Sequence, residues 1–87
     1  MDTAEKLDLA VWWEVATYAH VAAQAKINRN EHVDETELSC LAEESFAALH
    51  ELESAYLPLN HGLSLLAWIG VDRATYDRAV REALGRV

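Results

Sequence analysis

The chain has 87 residues, 52% of them hydrophobic, with three Gly and one Pro, and 15 acidic against 7 Lys or Arg side chains for a formal net charge of −8. That length makes one domain, residues 1–87, burying roughly 60–65% of its unfolded surface, so the core must be well filled. The apolar content excludes a disordered acidic tail, and the charge disfavours bare nucleic acid or an anionic membrane as partner.

A helix is predicted from about Ala4 to Ile27, capped by Asp2 or Thr3 and ended by Asn28-Arg29-Asn30. Leu7, Val11, Val15, Tyr18, Ala22 and Ala25 share one face at helical spacing. Leu9, Trp12, Ala16, Ala19, Ala23 and Ile27 make a second, with Trp13 and His20 at its edge. So short a chain has few helices to cover both faces, so Leu9, Trp12, Trp13, Ala16, His20 and Ile27 are expected to meet a second subunit or a partner. Trp is also enriched among binding anchors.

A second helix is predicted from about Glu35 to Leu57, capped by Asp34 or Thr36 and stopped by Pro58. Leu38, Leu41, Ser45, Leu49, Leu52 and Tyr56 form its core stripe. Glu37, Glu44 and Glu51 recur every seven residues on the far side, about 10 Å apart at 1.5 Å per residue, with Glu43 beside them. After Leu57-Pro58-Leu59-Asn60-His61-Gly62 comes a short helix, about Leu63 to Ile69, closed by Gly70. Asp72 caps a last helix, about Arg73 to Leu84, burying Tyr76, Val80, Ala83 and Leu84. Arg73–Asp77, Asp77–Arg81 and Glu82–Arg86 are its i, i+4 pairs. No strand is predicted. The fold class is all-α: a small helical bundle of three longer helices (about 4–27, 35–57 and 73–84) and one short helix (about 63–69).

The charge is concentrated. Residues 31–53 hold eight carboxylates and no Lys or Arg, whereas residues 1–30 hold four acidic and three basic side chains and residues 54–87 three and four. Cys40 is the sole cysteine, so no intrachain disulfide forms. The N-terminus lacks the basic start of a signal peptide, and the charge-free run Val15–Ala25 is too short to span a bilayer. A soluble cytoplasmic protein is expected.

No catalytic, metal or cofactor motif stands out. The residues three before His20, His32, His50 and His61 are Thr17, Arg29, Ala47 and Pro58, so no Glu-x-x-His pair offers a di-metal site, and no paired Cys/His spacing suits zinc. Cys40, Glu43, Glu44 and His50 fall in one stretch, but no pocket-forming loop accompanies them, and no Gly-rich phosphate loop is present. Neither an enzyme nor a cofactor is expected.

Residues 69–80, Ile69-Gly70-Val71-Asp72-Arg73-Ala74-Thr75-Tyr76-Asp77-Arg78-Ala79-Val80, resemble the turn and recognition helix of bacterial helix-turn-helix repressors through Gly70, Val71, Arg73, Thr75, Arg78 and Ala79. The resemblance implies a small transcriptional regulator with a degenerate motif at residues 63–84. It departs at Asp72 and Asp77, two carboxylates that would face DNA, and at Leu66, where the motif carries alanine.

The expected function is a small acidic binding protein that occupies a basic surface, such as that of a nuclease or a nucleic-acid-binding complex, and thereby inhibits it. By size and charge it looks like immunity proteins, antitoxins and phage inhibitors of the anti-CRISPR or DNA-mimic type. Glu37, Glu43, Glu44 and Glu51 supply docking charge, helped by Glu31, Asp34 and Glu35. A homodimer is expected through the first helix, with no direct nucleic-acid contact. The third alternative is a structural or oligomerisation subunit whose acidic face is merely solvated.

Overall fold

The structure, a computed structural model, describes residues 1–59 and 62–86, with Leu59 described by its backbone alone. Asn60 and His61 of the expected connection, and Val87, lie outside the described residues. Four helices follow in order: α1 (Thr3–Asn28), α2 (Glu35–Tyr56), α3 (Leu65–Ile69) and α4 (Arg73–Leu84), with a 3₁₀ turn at Leu57–Leu59 after α2. Three are long and one is short, as the periodicity required, and the described residues contain no strand.

Local chemistry sets the helix ends. The Asp2 carboxylate accepts from Glu5 N at 2.8 Å, so Asp2, not Thr3, caps α1. At the other end Asn30 takes the left-handed conformation, φ 62°, and Glu31 N donates to Lys26 O at 2.9 Å. Asn is one of the few non-glycine residues that visits this region readily, which lets α1 end without a glycine. Asp34 caps α2 through Thr36 N. The short helix starts two residues later than Leu63 because Ser64 Oγ caps it, accepting from Ala67 N at 3.2 Å. The preceding residue is tied elsewhere: the Tyr56 hydroxyl donates to Leu63 O. Gly70 closes α3 at φ 89°, a backbone state that costs an L side chain about 1–2 kcal/mol.

Asp72 caps α4, accepting from Thr75 N at 2.7 Å. Hydrogen bonds from Thr75, helped by the nearby Arg78 charge, hold its carboxyl below the ordinary value of 3.8. A lowered folded-state value means stability that is present above the ordinary value and is lost as pH falls through the folded one. Asp72→Asn keeps a cap but removes the charge, so its melting temperature should fall less than the wild type's from about pH 4 downward. Circular dichroism melts at stepped pH check this.

α1 and α2 form an antiparallel hairpin joined by residues 29–34. Their contact is made of small side chains: Ala16, Ala23, Ser45 and Ala48 are all buried. Small residues allow close approach of two helices along much of their length. At the end near the start of α1, α3 and α4 cover the hairpin. The core there joins Ala10, Leu52, Trp68, Ile69 and Tyr76, with Leu7, Leu9, Trp13 and Tyr56 packed against it. Lys6 secures α3, its ammonium donating to Trp68 O at 3.1 Å and standing 5.1 Å from the Trp68 ring centroid. Beyond Ala19, where Leu84 brings the end of α4 onto α1, the hairpin runs on, giving a molecule 42 × 25 × 18 Å.

Tyr76 joins α4 to α1. Its ring is buried and its hydroxyl donates to Glu14 Oε1 at 3.0 Å. Burial, with the Glu14 carboxylate close by, raises the phenol well above its ordinary value of 10. The neutral phenol is therefore the folded form, and its stabilisation is fully present below pH 10 and fades as pH rises beyond it. Tyr76→Phe should be less stable at pH 7 by about 1 kcal/mol, the loss of one hydrogen bond, yet lose less stability than the wild type above pH 10. Urea titrations at pH 7 and at about pH 11 test both halves.

Candidate functional site

All seven acidic residues expected to dock a partner are exposed, but the structure gives them different tasks. Glu31 is paired with its own chain: Arg29 Nε lies 2.6 Å from Glu31 Oε2. Asp34 is engaged as the α2 cap. Glu44 does not stand clear on the far side of α2. Its carboxylate accepts from the Trp12 indole N–H at 3.2 Å, so the Glu37–Glu44–Glu51 line borders the α1–α2 seam. Glu51 lines the same edge, beside Met1, Leu9 and His50. Glu35, Glu37, Glu43 and Glu51 carry no ion pair among the described residues. The other ion pairs among the described residues are Arg73–Asp77 (3.4 Å) on α4 and Glu82 of α4 with Arg86 just past its end (4.0 Å); Asp77–Arg81 is not among them.

The apolar face of α1 expected to meet a second subunit or a partner carries α2 within this chain. Ala16 is buried, and Leu9 and Trp13 pack against the core. Trp12 reaches Glu44, and His20 stands edge-to-face with Phe46, ring centroids 6.0 Å apart at 75°. Ile27, at the open end, remains 36% exposed. The small side chains of α2 let it approach this face, on which Ala16 is buried, Leu9, Trp12, Trp13 and His20 are half-buried and Ile27 is exposed. Other large apolar side chains are open too: Tyr18 and Val21 on the other side of α1, and Phe46 on α2, are each at least 60% exposed. Tyr18 also lines a groove of about 350 Å³ with Val15, Ala19 and Leu84.

Phe46 was not singled out by sequence. The signal was present, since Phe46 is the one aromatic residue between Glu35 and Ala55 and falls off the leucine stripe. Cys40 and His50 share α2 about 15 Å apart along its axis, too far for a thiol and its base to share a proton. Among the described residues no group of three or more His, Cys, Asp or Glu side chains could hold a metal, and no helix is long and apolar enough to cross a membrane. The arrangement offers exposed charge and apolar contact.

The chain matches no protein-family model, no curated protein and no solved structure.

Proposed function

We propose that this protein is a small acidic binding module that docks on a basic surface of another protein inside the cell and blocks it, as immunity proteins, antitoxins and phage anti-defence inhibitors do. The supporting observation is the state of α2. Glu35, Glu37, Glu43 and Glu51 are exposed with no ion pair among the described residues, while the three ion pairs lie off that helix. An ordinary solvated helix face relieves such repulsion with i, i+4 lysines, and this one has none. Uncompensated charge of one sign speeds association with the opposite sign and suppresses wrong partners. Nuclease and nucleic-acid-binding surfaces are basic, so they are the class of partner the charge fits. Reversing Glu37, Glu43 and Glu51 together tests the reading, with loss of binding expected.

The regulator reading retains one support, the α3–Gly70–α4 corner itself. Its first helix has only five residues, and Asp72 and Asp77 are committed to a cap and an ion pair. Salt-dependent binding of duplex DNA at physiological ionic strength would favour it over the docking module.

A further inference from the structure

Charge alone gives a fast encounter but little affinity, because exposed ion pairs contribute little each. Affinity in protein interfaces comes from a few apolar anchors that lose their water. On α2 one large apolar side chain is available for this. Phe46 is 63% exposed, and His20 stands edge-to-face with its ring from α1. Helical spacing sets Glu43 one turn before Phe46 and Glu53 two turns after it, both exposed. Ser39, Ala42 and Ala47 are small neighbours of the ring on the helix, and exposed His50 stands one turn on, between Phe46 and Glu53.

We propose that the docking face is centred on Phe46, and that its occupant is a basic amphipathic helix of a partner protein whose apolar side packs on this ring. Its Lys and Arg side chains reach Glu43 and Glu53. A second copy of this chain fits less well, since each copy carries a net −8 and the two repel as they approach. Nucleic acid is repelled by the same groups. The inference rests on the docking reading above and narrows it to the flank of α2 that carries Glu43 and Glu53, since helical spacing sets Glu37 and Glu51 on the opposite flank.

Two synthetic peptides of equal length and equal Lys/Arg content provide the test, one carrying Leu along a single helical face and the other Gln at those positions. Fluorescence anisotropy gives their affinities for the wild type, for Phe46→Ala and for Glu43→Gln/Glu53→Gln, each confirmed as folded by circular dichroism. The Leu peptide should bind the wild type about tenfold tighter than the Gln peptide, and Phe46→Ala should erase that difference. Glu43→Gln/Glu53→Gln should flatten the salt dependence for both peptides. Two equally bound, salt-dependent peptides with no effect of Phe46→Ala overturn the Phe46 face and leave the acidic docking reading standing. No salt-dependent binding of either peptide overturns both. Sedimentation of the wild type, but not Phe46→Ala, as a dimer identifies the occupant as a second copy and overturns the proposal.

Discussion

Ile69→Ala is expected to lower the unfolding free energy by about 2–5 kcal/mol, the range for emptying a buried branched aliphatic site. Ile69 is 1% exposed, the largest of the fully buried side chains. It sits in α3, whose five residues are far below the length at which a helix sustains itself. α3 therefore holds its shape because Trp68 and Ile69 are buried against Ala10, Leu52 and Tyr76. Emptying the Ile69 site should loosen α3 and with it the seat of α4. A chain of this length has a total stability of about 4–13 kcal/mol, so the loss is a large share of the whole. At about 4–8 °C per kcal/mol for a domain of this size, the melting temperature should fall by at least about 8 °C. Ile69→Val, which removes one methylene, should cost only about 0.5–1.5 kcal/mol. Urea unfolding followed by circular dichroism measures both, and a loss below 1 kcal/mol for the alanine variant would mean that α3 is not part of the cooperative core.

The parts of the fold legible in the sequence are those fixed by neighbours in the chain. Asp72 and Gly70 bracket α4 and α3 through local hydrogen bonds and one left-handed residue, so their places could be read from residue type. The α2 stripe was legible too: Ser45 and Leu52 are buried, and Leu38, Leu41, Leu49 and Tyr56 are half-buried. α1 was legible as a helix but not in its orientation. Being apolar nearly all round, it presents periodicity with no preferred face, and only the arrival of α2 decides that Ala16 and Ala23 go inside while Tyr18 and Val21 stay out. Ala10 and Ala48, both at 0% exposure, escaped notice because their place in the core comes from close approach of helices rather than from side-chain size. The ends of α2 and α3 shifted for the same reason that loops resist prediction. Pro58 stops the α-helix but leaves a 3₁₀ turn, and Leu63 is held by a hydrogen bond from Tyr56 seven residues back. The acidic segment was visible at once. That Glu44 belongs to Trp12 was not, because spacing along one helix says nothing of partners on the next.

That bond decides how the docking reading is best tested. Reversing Glu37, Glu44 and Glu51 would break the Trp12–Glu44 hydrogen bond and confuse lost docking with altered packing. Glu37→Lys/Glu43→Lys/Glu51→Lys leaves it intact and touches only exposed carboxylates without an ion pair among the described residues. Three reversals add six units of charge, taking −8 to −2. Stability should move by no more than about 0.5 kcal/mol per site, since these are surface changes that also relieve repulsion. Binding of the Lys/Arg peptides, and inhibition of any basic partner, should fall by at least about tenfold, mostly through slower association. Glu5→Lys/Asp8→Lys/Glu82→Lys makes the same charge change away from α2 and separates the two meanings of acidity. If net charge alone attracts the basic partner, both variants lose binding equally. If the α2 surface is the site, only the first does, and its residual binding no longer weakens with added salt. Unchanged binding in both variants would leave the acidic helix as a solvated face.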